Sequence, residues 1–408
     1  MLKFSRTGWV VLSCAWLLGF VTWGSAIIVS PILGVIKTDL FLTYSQAGLL
    51  FSLPMIVASL FAIPGGLLAD RVGVRVAAGM GAILVGIGGF LRGASADYLM
   101  LLFFTSVFGV GWGFIMPNLP KLVSCWFSKK FFGRATGIYS TGVAAGAFFT
   151  LAIAAPIYSA TGSWQGVFFI WATVAFAIAT VWWVLVRDPA SCGPTYSGGS
   201  KDLSAKLTYT VWKNKDVWLC AFLFFGSVML YYSLIAWLPS ILLEAGVSFQ
   251  SATLTTSLIP LFSMLGMGVS PLLSDKLGRR KPFLWISFLV CTVILLTLWY
   301  VPADHQWFLI SILGFMTGTQ FALCLTVTTE IVESRFVGSA SGVVLSVGYV
   351  GVVGSWMTGY ILDFSTFFYA LVMLSMVSIA LMILGLLLPE SAHPSRLHNP
   401  PPRQDSEH

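Results

Sequence analysis

Gly65-Gly66-Leu67-Leu68-Ala69-Asp70-Arg71-Val72-Gly73-Val74-Arg75 is a short charged loop between two long apolar runs. It returns as Pro271-Leu272-Leu273-Ser274-Asp275-Lys276-Leu277-Gly278-Arg279-Arg280-Lys281. The pairs Asp70/Asp275, Gly73/Gly278 and Arg75/Arg280 share one offset of 205 residues. The same offset relates Gly133-Arg134-Ala135-Thr136-Gly137 to Gly338-Ser339-Ala340-Ser341-Gly342, and Gly109 and Gly113 to Gly314 and Gly318. Several distant matches at one offset mark a duplicated half. The chain reads as two similar halves.

Around these loops the composition is that of a membrane protein. Of 408 residues, 57% are hydrophobic and 9% charged, where soluble domains carry about a quarter charged. Apolar runs of roughly 18 residues or more recur throughout, each able to cross a ~30 Å hydrocarbon core. Met1 to Ile36 begins like a signal peptide, but its apolar run is long and further spans follow, so it reads as a retained first helix. We expect an all-α polytopic protein with twelve spans at 9–34, 46–69, 76–94, 98–120, 134–158, 164–186, 216–242, 250–273, 283–301, 307–330, 337–362 and 366–388.

Twelve crossings place both termini on one side. With that side cytoplasmic, twenty of the 22 Lys and Arg lie there, and only Lys37 and Arg92 face the other way. This is a strong positive-inside bias, so both termini are expected in the cytoplasm. The net charge of +7 reports orientation in the inner membrane, not a nucleic-acid partner. The expected organisation is a six-helix bundle over 1–186, a cytoplasmic linker over 187–215, a second six-helix bundle over 216–388 and a disordered tail over 389–408.

The spans differ in kind. The third, sixth, ninth and twelfth are almost purely apolar and lack proline, whereas Pro31, Pro54, Pro64, Pro117, Pro120, Pro156, Pro239, Pro260 and Pro271 fall in six others. Backbone groups freed by proline must be satisfied by neighbouring helices or water, so broken helices belong inside a bundle or along a cavity. Every third span should therefore face lipid, with the other eight surrounding a path.

The loops Gly66-x-Leu68-Ala-Asp70-Arg-x-Gly73-x-Arg75 and Leu273-Ser-Asp275-Lys-x-Gly278-Arg-Arg-Lys281 resemble the signature of the major facilitator superfamily. The resemblance spans essentially the whole chain. It implies two pseudo-symmetric six-helix bundles rocking about a midplane site. Gly48-Leu-Leu-Phe-Ser-Leu-Pro54 and Gly89-Phe-Leu-Arg92 add a weak likeness to the cyanate/nitroimidazole-transporter branch.

By the pseudo-symmetry, Asp70 should approach the start of the eleventh helix near Arg335, and Asp275 the start of the fifth near Arg134. A carboxylate at a helix N-terminus gains about 0.3–1 kcal/mol. The expected cytoplasmic latch comprises Asp70, Arg71, Gly73, Arg75, Asp275, Lys276, Gly278, Arg279, Arg280, Arg134 and Arg335. The candidate path residues are Trp23, Ser25, Asn118, Lys121, Tyr139, Thr141, Tyr231, Tyr232, Trp237, Gln320 and Tyr349, which offer hydrogen bonds and aromatic faces. Arg92 reads as an interfacial anchor, Glu330, Glu333 and Asp363 as capping or gate charges, and the paired glycines as close helix contacts.

No ionisable residue stands near the centre of any span, where a charge costs about 2.5–3.5 kcal/mol or more. A neutral, zwitterionic or singly charged small molecule fits such a path. No catalytic, metal-binding or nucleotide-binding pattern stands out, so no enzyme activity and no cofactor are expected. The expected function is a monomeric secondary transporter of a small organic molecule or monoanion, with proton or sodium as coupling-ion alternatives and the lipid bilayer as surroundings. The alternatives are drug or metabolite efflux and a transporter-like receptor that moves nothing.

Overall fold

The computed structural model describes residues 6–127, 129–188, 213–333, 337–388 and 390. All regular structure among them is helical. Lipid leaves no alternative for an open chain, because a helix satisfies its backbone groups internally. The expected linker between 189 and 212, Arg335, and the tail apart from Glu390 lie outside the described residues.

Eleven segments are long and apolar enough to cross a membrane. The first span is the helix pair Arg6–Ile27 and Val29–Asp39, and the second is Tyr44–Val72. The third is Val74–Gly93, and the fourth is the pair Tyr98–Ile115 and Asn118–Trp126. Lys129–Thr161, Trp164–Leu185, Lys215–Glu244 and Phe249–Leu277 are the fifth to eighth. In the ninth place stands Lys281–Thr297, apolar but only 17 residues long. The tenth is Ala303–Glu330. The eleventh runs Val337–Tyr349, a 3-10 turn over Val350–Val353, and Gly354–Leu362, and the twelfth is Phe367–Leu387.

Local chemistry sets the ends and breaks. Thr43 opens the second span with a capping box, its hydroxyl accepting from Gln46 N while Gln46 Oε1 accepts from Thr43 N at 2.9 Å. Asp97 caps the fourth span on Met100 N at 2.8 Å. Gly73, at φ +91°, joins the second and third spans in a backbone conformation that side chains with a Cβ rarely adopt. The first span breaks at Ile28, just ahead of Pro31, and the fourth at Met116-Pro117, as expected where proline removes a backbone donor. Asn118 bridges the second break, donating to the Phe114 carbonyl at 2.7 Å and to Gly65 O of the second span at 3.1 Å.

The first span packs on the fifth, the second and third on the fourth, and the third on the sixth; the eighth packs on the tenth, and the ninth on the twelfth. Three pairings join the two halves of the chain: second with eleventh, fifth with eighth, and first with seventh. At the glycine pairs the helices touch backbone to backbone. A Cβ on Gly109 would fall 2.8 Å from Pro54 O, and one on Gly142 would fall 2.5 Å from Trp16 O. Gly137 and Gly342 differ, since an added Cβ there would meet open space. The helix-contact expectation is therefore not met at Gly342 in this conformation. Cys14, Cys220, Cys291 and Cys324 are free and buried, whereas Cys125 is disulfide-bonded.

Candidate functional site

A cavity of about 550 Å³ lies between the halves. Its walls come from the first, fourth, fifth, seventh, eighth, tenth and eleventh spans. The four proline-free apolar spans contribute nothing to it, as the sequence led us to expect, but neither does the second span. Six of the eleven candidate path residues line it: Trp23, Tyr139, Thr141, Tyr231, Tyr232 and Tyr349. Tyr139 and Tyr349, from the matching fifth and eleventh spans, meet at this one cavity.

The wall is aromatic and carries no charged side chain. Trp23 and Trp112 stand edge to face at 4.9 Å, and Phe321 meets Phe224 at 5.6 Å and Tyr231 at 5.3 Å. Phe224 also meets Tyr349 at 5.8 Å. Such rings present large apolar faces with few polar groups, a surface suited to a flat or partly apolar ligand. Trp112, Phe224 and Phe321 were missed from the sequence because nothing local separates a path-facing aromatic from a lipid-facing one.

The other five candidates lie off the cavity, each held elsewhere. Trp237 donates its indole N–H to Ser355 O at 2.8 Å. Gln320 is fully buried and turned toward the ninth span, with Nε2 at 3.4 Å from Cys291 Sγ. Asn118 spans the helix break already described. Lys121 forms an ion pair with Asp70, and Ser25 offers its carbonyl to Arg92 Nη2 at 2.9 Å.

The cavity is shut at one end. On the far face, which carries Asp39 and Asp363, the Asp363 carboxylate accepts from Tyr44 N at 2.6 Å and from Ser45 N at 3.1 Å. It thus caps the second span from the end of the eleventh, where a negative charge meets the positive end of the helix dipole. Gly48 sits against the eleventh span so closely that a Cβ would fall 2.5 Å from Ser355 O. Ser30 donates to the Ile235 carbonyl, and Tyr158 meets Phe249 at 5.6 Å. All of these links join the first half of the chain to the second.

The loop face, which carries Asp70 and Asp275, is organised differently. Asp70 pairs with Lys121 at the end of the fourth span. Arg280 pairs with Asp275 and with Glu330 Oε1 at 2.9 Å. Burial works against the Arg280 charge, but the hydrogen bonds and charges of Glu330 and Asp275 outweigh it and hold the guanidinium above the ordinary arginine range. Arg75 N donates to Asp188 Oδ1 at 2.9 Å and its Nη2 to Trp183 O at 2.6 Å. In the other half Glu390, assigned to the tail from sequence, accepts from Arg280 N at 2.8 Å in the equivalent place. Arg71, Lys276, Arg279 and Arg134 are exposed, Gly278 takes a left-handed turn at φ +62°, and among the described residues Arg134 has no ion-pair partner. Each ion pair found here stays within one half.

Arg92 departs most from the sequence reading. It is 1% exposed, not an interfacial anchor, and its guanidinium lies 4.3 Å from the Phe108 ring and 4.8 Å from the Phe168 ring. Neighbouring spans bury it, so its place near a helix end says nothing of its exposure. Among the described residues no group of three or more His, Cys, Asp or Glu is placed to hold a metal ion.

With this geometry in view, the comparisons with known proteins agree. The family model described as Major Facilitator Superfamily matches residues 15–355 and 272–406. The chain is similar to a 2-nitroimidazole transporter of Escherichia coli (strain K12), 27% identical over 326 residues covering 79% of this chain and 80% of that one. It is also similar to the cyanate transport protein of the same organism, 23% identical over 365 residues, 86% of this chain and 91% of that one. In fold it resembles the inward-facing, unoccupied structure of a bacterial homolog of the lysosomal transporter Spinster. That match has a TM-score of 0.77 at 18% identity over 94% of this chain and 96% of the other. The chain belongs to the Major Facilitator Superfamily and is a multi-pass membrane transporter of that family.

Proposed function

We propose that the protein moves a small organic molecule or monoanion across the cytoplasmic membrane by alternating access, two six-helix units (1–186 and 216–388) rocking about the central cavity. The observation that carries this reading is a cavity between the halves whose cross-half hydrogen bonds, among the described residues, lie on one face. The positive-inside bias makes the loop face cytoplasmic, so this conformation is open to the cytoplasm, both termini lie there, and 187–215 links the units. In the opposite conformation Asp70 and Asp275 exchange their present partners for Arg335 and Arg134, and the signature loops latch the cytoplasmic side. The unit of function is a monomer, since the path lies within one chain.

The aromatic, uncharged wall supports a substrate that is planar or partly apolar. The named relatives carry 2-nitroimidazole and cyanate, a flat heterocycle and a small monoanion, and both would fit a chamber of this size. The same wall supports the efflux alternative, with broad aromatic substrates. Counterflow into proteoliposomes tests the reading: preloaded solutes of either class should drive uptake of the same labelled solute, saturably. Absence of exchange for every solute that stabilises the purified protein would remove the transport reading. Saturable exchange confined to one chemical class would favour uptake over efflux. A ligand present at many times its dissociation constant stabilises the folded state by about 2–4 kcal/mol, so a thermal-shift screen supplies the solutes to be tried.

A further inference from the structure

Arg92 is a buried charge without a counter-charge among the described residues. Its Nη2 has the Ser25 carbonyl, but Nε and Nη1 have no hydrogen-bond partner. Two aromatic faces offset part of the desolvation, yet a buried cation of this kind ordinarily has an anion or ordered water to complete it. Asp39, on the same face, does not serve: its Oδ2 accepts from Trp164 Nε1 at 2.7 Å.

The guanidinium lies one aromatic ring behind the cavity wall. Phe108, on which it rests, meets Trp112 at 6.1 Å, and Trp112 is part of the cavity wall. Two wall residues carry unused donors: the Trp112 indole N–H and the Thr22 hydroxyl are both buried and unpartnered. No carboxylate lines the chamber. An unpartnered indole N–H and hydroxyl on wall residues, a cation one ring layer behind and no carboxylate among the lining residues form the complement of a negative charge.

We infer that this part of the cavity is a monoanion subsite, in which Thr22 and Trp112 donate to a carboxylate or like group while Arg92, one ring layer behind, supplies the counter-charge. This rests on the transport reading above and narrows its substrate to an organic monoanion. Arg92 lies within about 10 Å of the Trp112 ring. At that separation, with an effective dielectric near 20, a unit charge favours an anion over its neutral isostere roughly tenfold. One guanidinium without a second cation selects a single negative charge rather than two.

The test uses the full chain and matched acid/amide probes: benzoate with benzamide, nicotinate with nicotinamide, and acetate with acetamide, at about pH 7, where the acids are ionised. Affinities are read from tryptophan fluorescence and thermal shift. At least one acid should bind roughly tenfold more tightly than its amide. Arg92→Lys should retain that ratio and Arg92→Met should bring it near one while leaving amide binding unchanged. Replacing an unpaired buried charge with an apolar isostere should not lower the melting temperature. Should Arg92→Met nevertheless fail to fold, Thr22→Val keeps the charge and should weaken the acid several-fold but not the amide. A ratio near one for every pair in the wild type overturns the inference, whether both probes bind or neither does. So does an acid preference that survives Arg92→Met, or, should that variant not fold, one that Thr22→Val leaves undiminished. Exchange of neutral solutes without acid preference would sink this inference and leave transport standing; acid binding without flux in proteoliposomes would do the reverse.

Discussion

The two faces of the molecule hold themselves together in opposite ways. On the far face Asp363, Gly48 and Ser30 tie one half of the chain to the other, through a helix cap, a backbone approach and a buried hydrogen bond. On the loop face Asp70, Arg75 and Arg280 bond, among the described residues, within their own halves, and open space lies beside Gly137, Gly268 and Gly342. The family signature lies on this second face. A transporter must be able to break either seal, so no single contact on the closed side can be very strong. The far-face contacts fit that need, being many and individually modest.

Overpacking the seal should have the largest effect. In Gly48→Leu the new side chain would enter the Ser355 backbone, where even a Cβ lies too close. Overpacking costs about 1–3 kcal/mol, enough to turn a nearly balanced pair of states over. Spin labels at positions 41 and 364, both highly exposed on the far face, should separate by several ångströms more on average, and exchange should fall more than tenfold. An unchanged distance distribution would show that the second and eleventh spans do not form the seal.

Gly137→Trp attacks the other face. Its side chain should fill space that is empty here and obstruct closure of the loop face, abolishing exchange in proteoliposomes while leaving the melting temperature within a degree or two. If exchange persists, the fifth span does not close against its neighbours there.

A milder change is Asp363→Asn, which keeps the shape and removes the charge from the start of the second span. Helix-end charges and charge-assisted hydrogen bonds of this kind contribute about 1–2 kcal/mol, so the state ratio should move five- to thirtyfold toward the far-open form. The same spin-label pair reads it, and a shift toward the loop-open form would contradict the assignment of Asp363 as a gate. Smallest should be the Asp70–Lys121 pair, in which both side chains are partly exposed. A double-mutant cycle of Asp70→Ala and Lys121→Ala should give less than about 1 kcal/mol of coupling in thermal stability. A value well above that would make the loop face as firmly held as the far face.

Much of this protein could be read before it was folded. The offset of 205 residues, the repeated Asp-x-x-Gly loops and the alternation of proline-bearing with purely apolar spans point to a duplicated helical transporter and, the second span apart, to which helices line the cavity. Tyr139 and Tyr349 were legible for the same reason, since repeat symmetry brings matching helices to one axis. Arg92 was not. Hydropathy measures position along one helix, and a residue near a helix end looks interfacial until Phe108 and Phe168 of other spans are laid over it. The engagement of Lys121 with Asp70 was equally hidden, because its partner lies 51 residues away on another helix.

What the sequence by itself determined is the helical character of the elements, their lengths within a turn or two and their breaks. These follow from local rules, since a lipid environment forces helices and charges stay out of its core. What only the tertiary structure decided is which face is sealed, which aromatics line the chamber, and which cation is buried without a partner. These depend on contacts between residues tens to hundreds of positions apart.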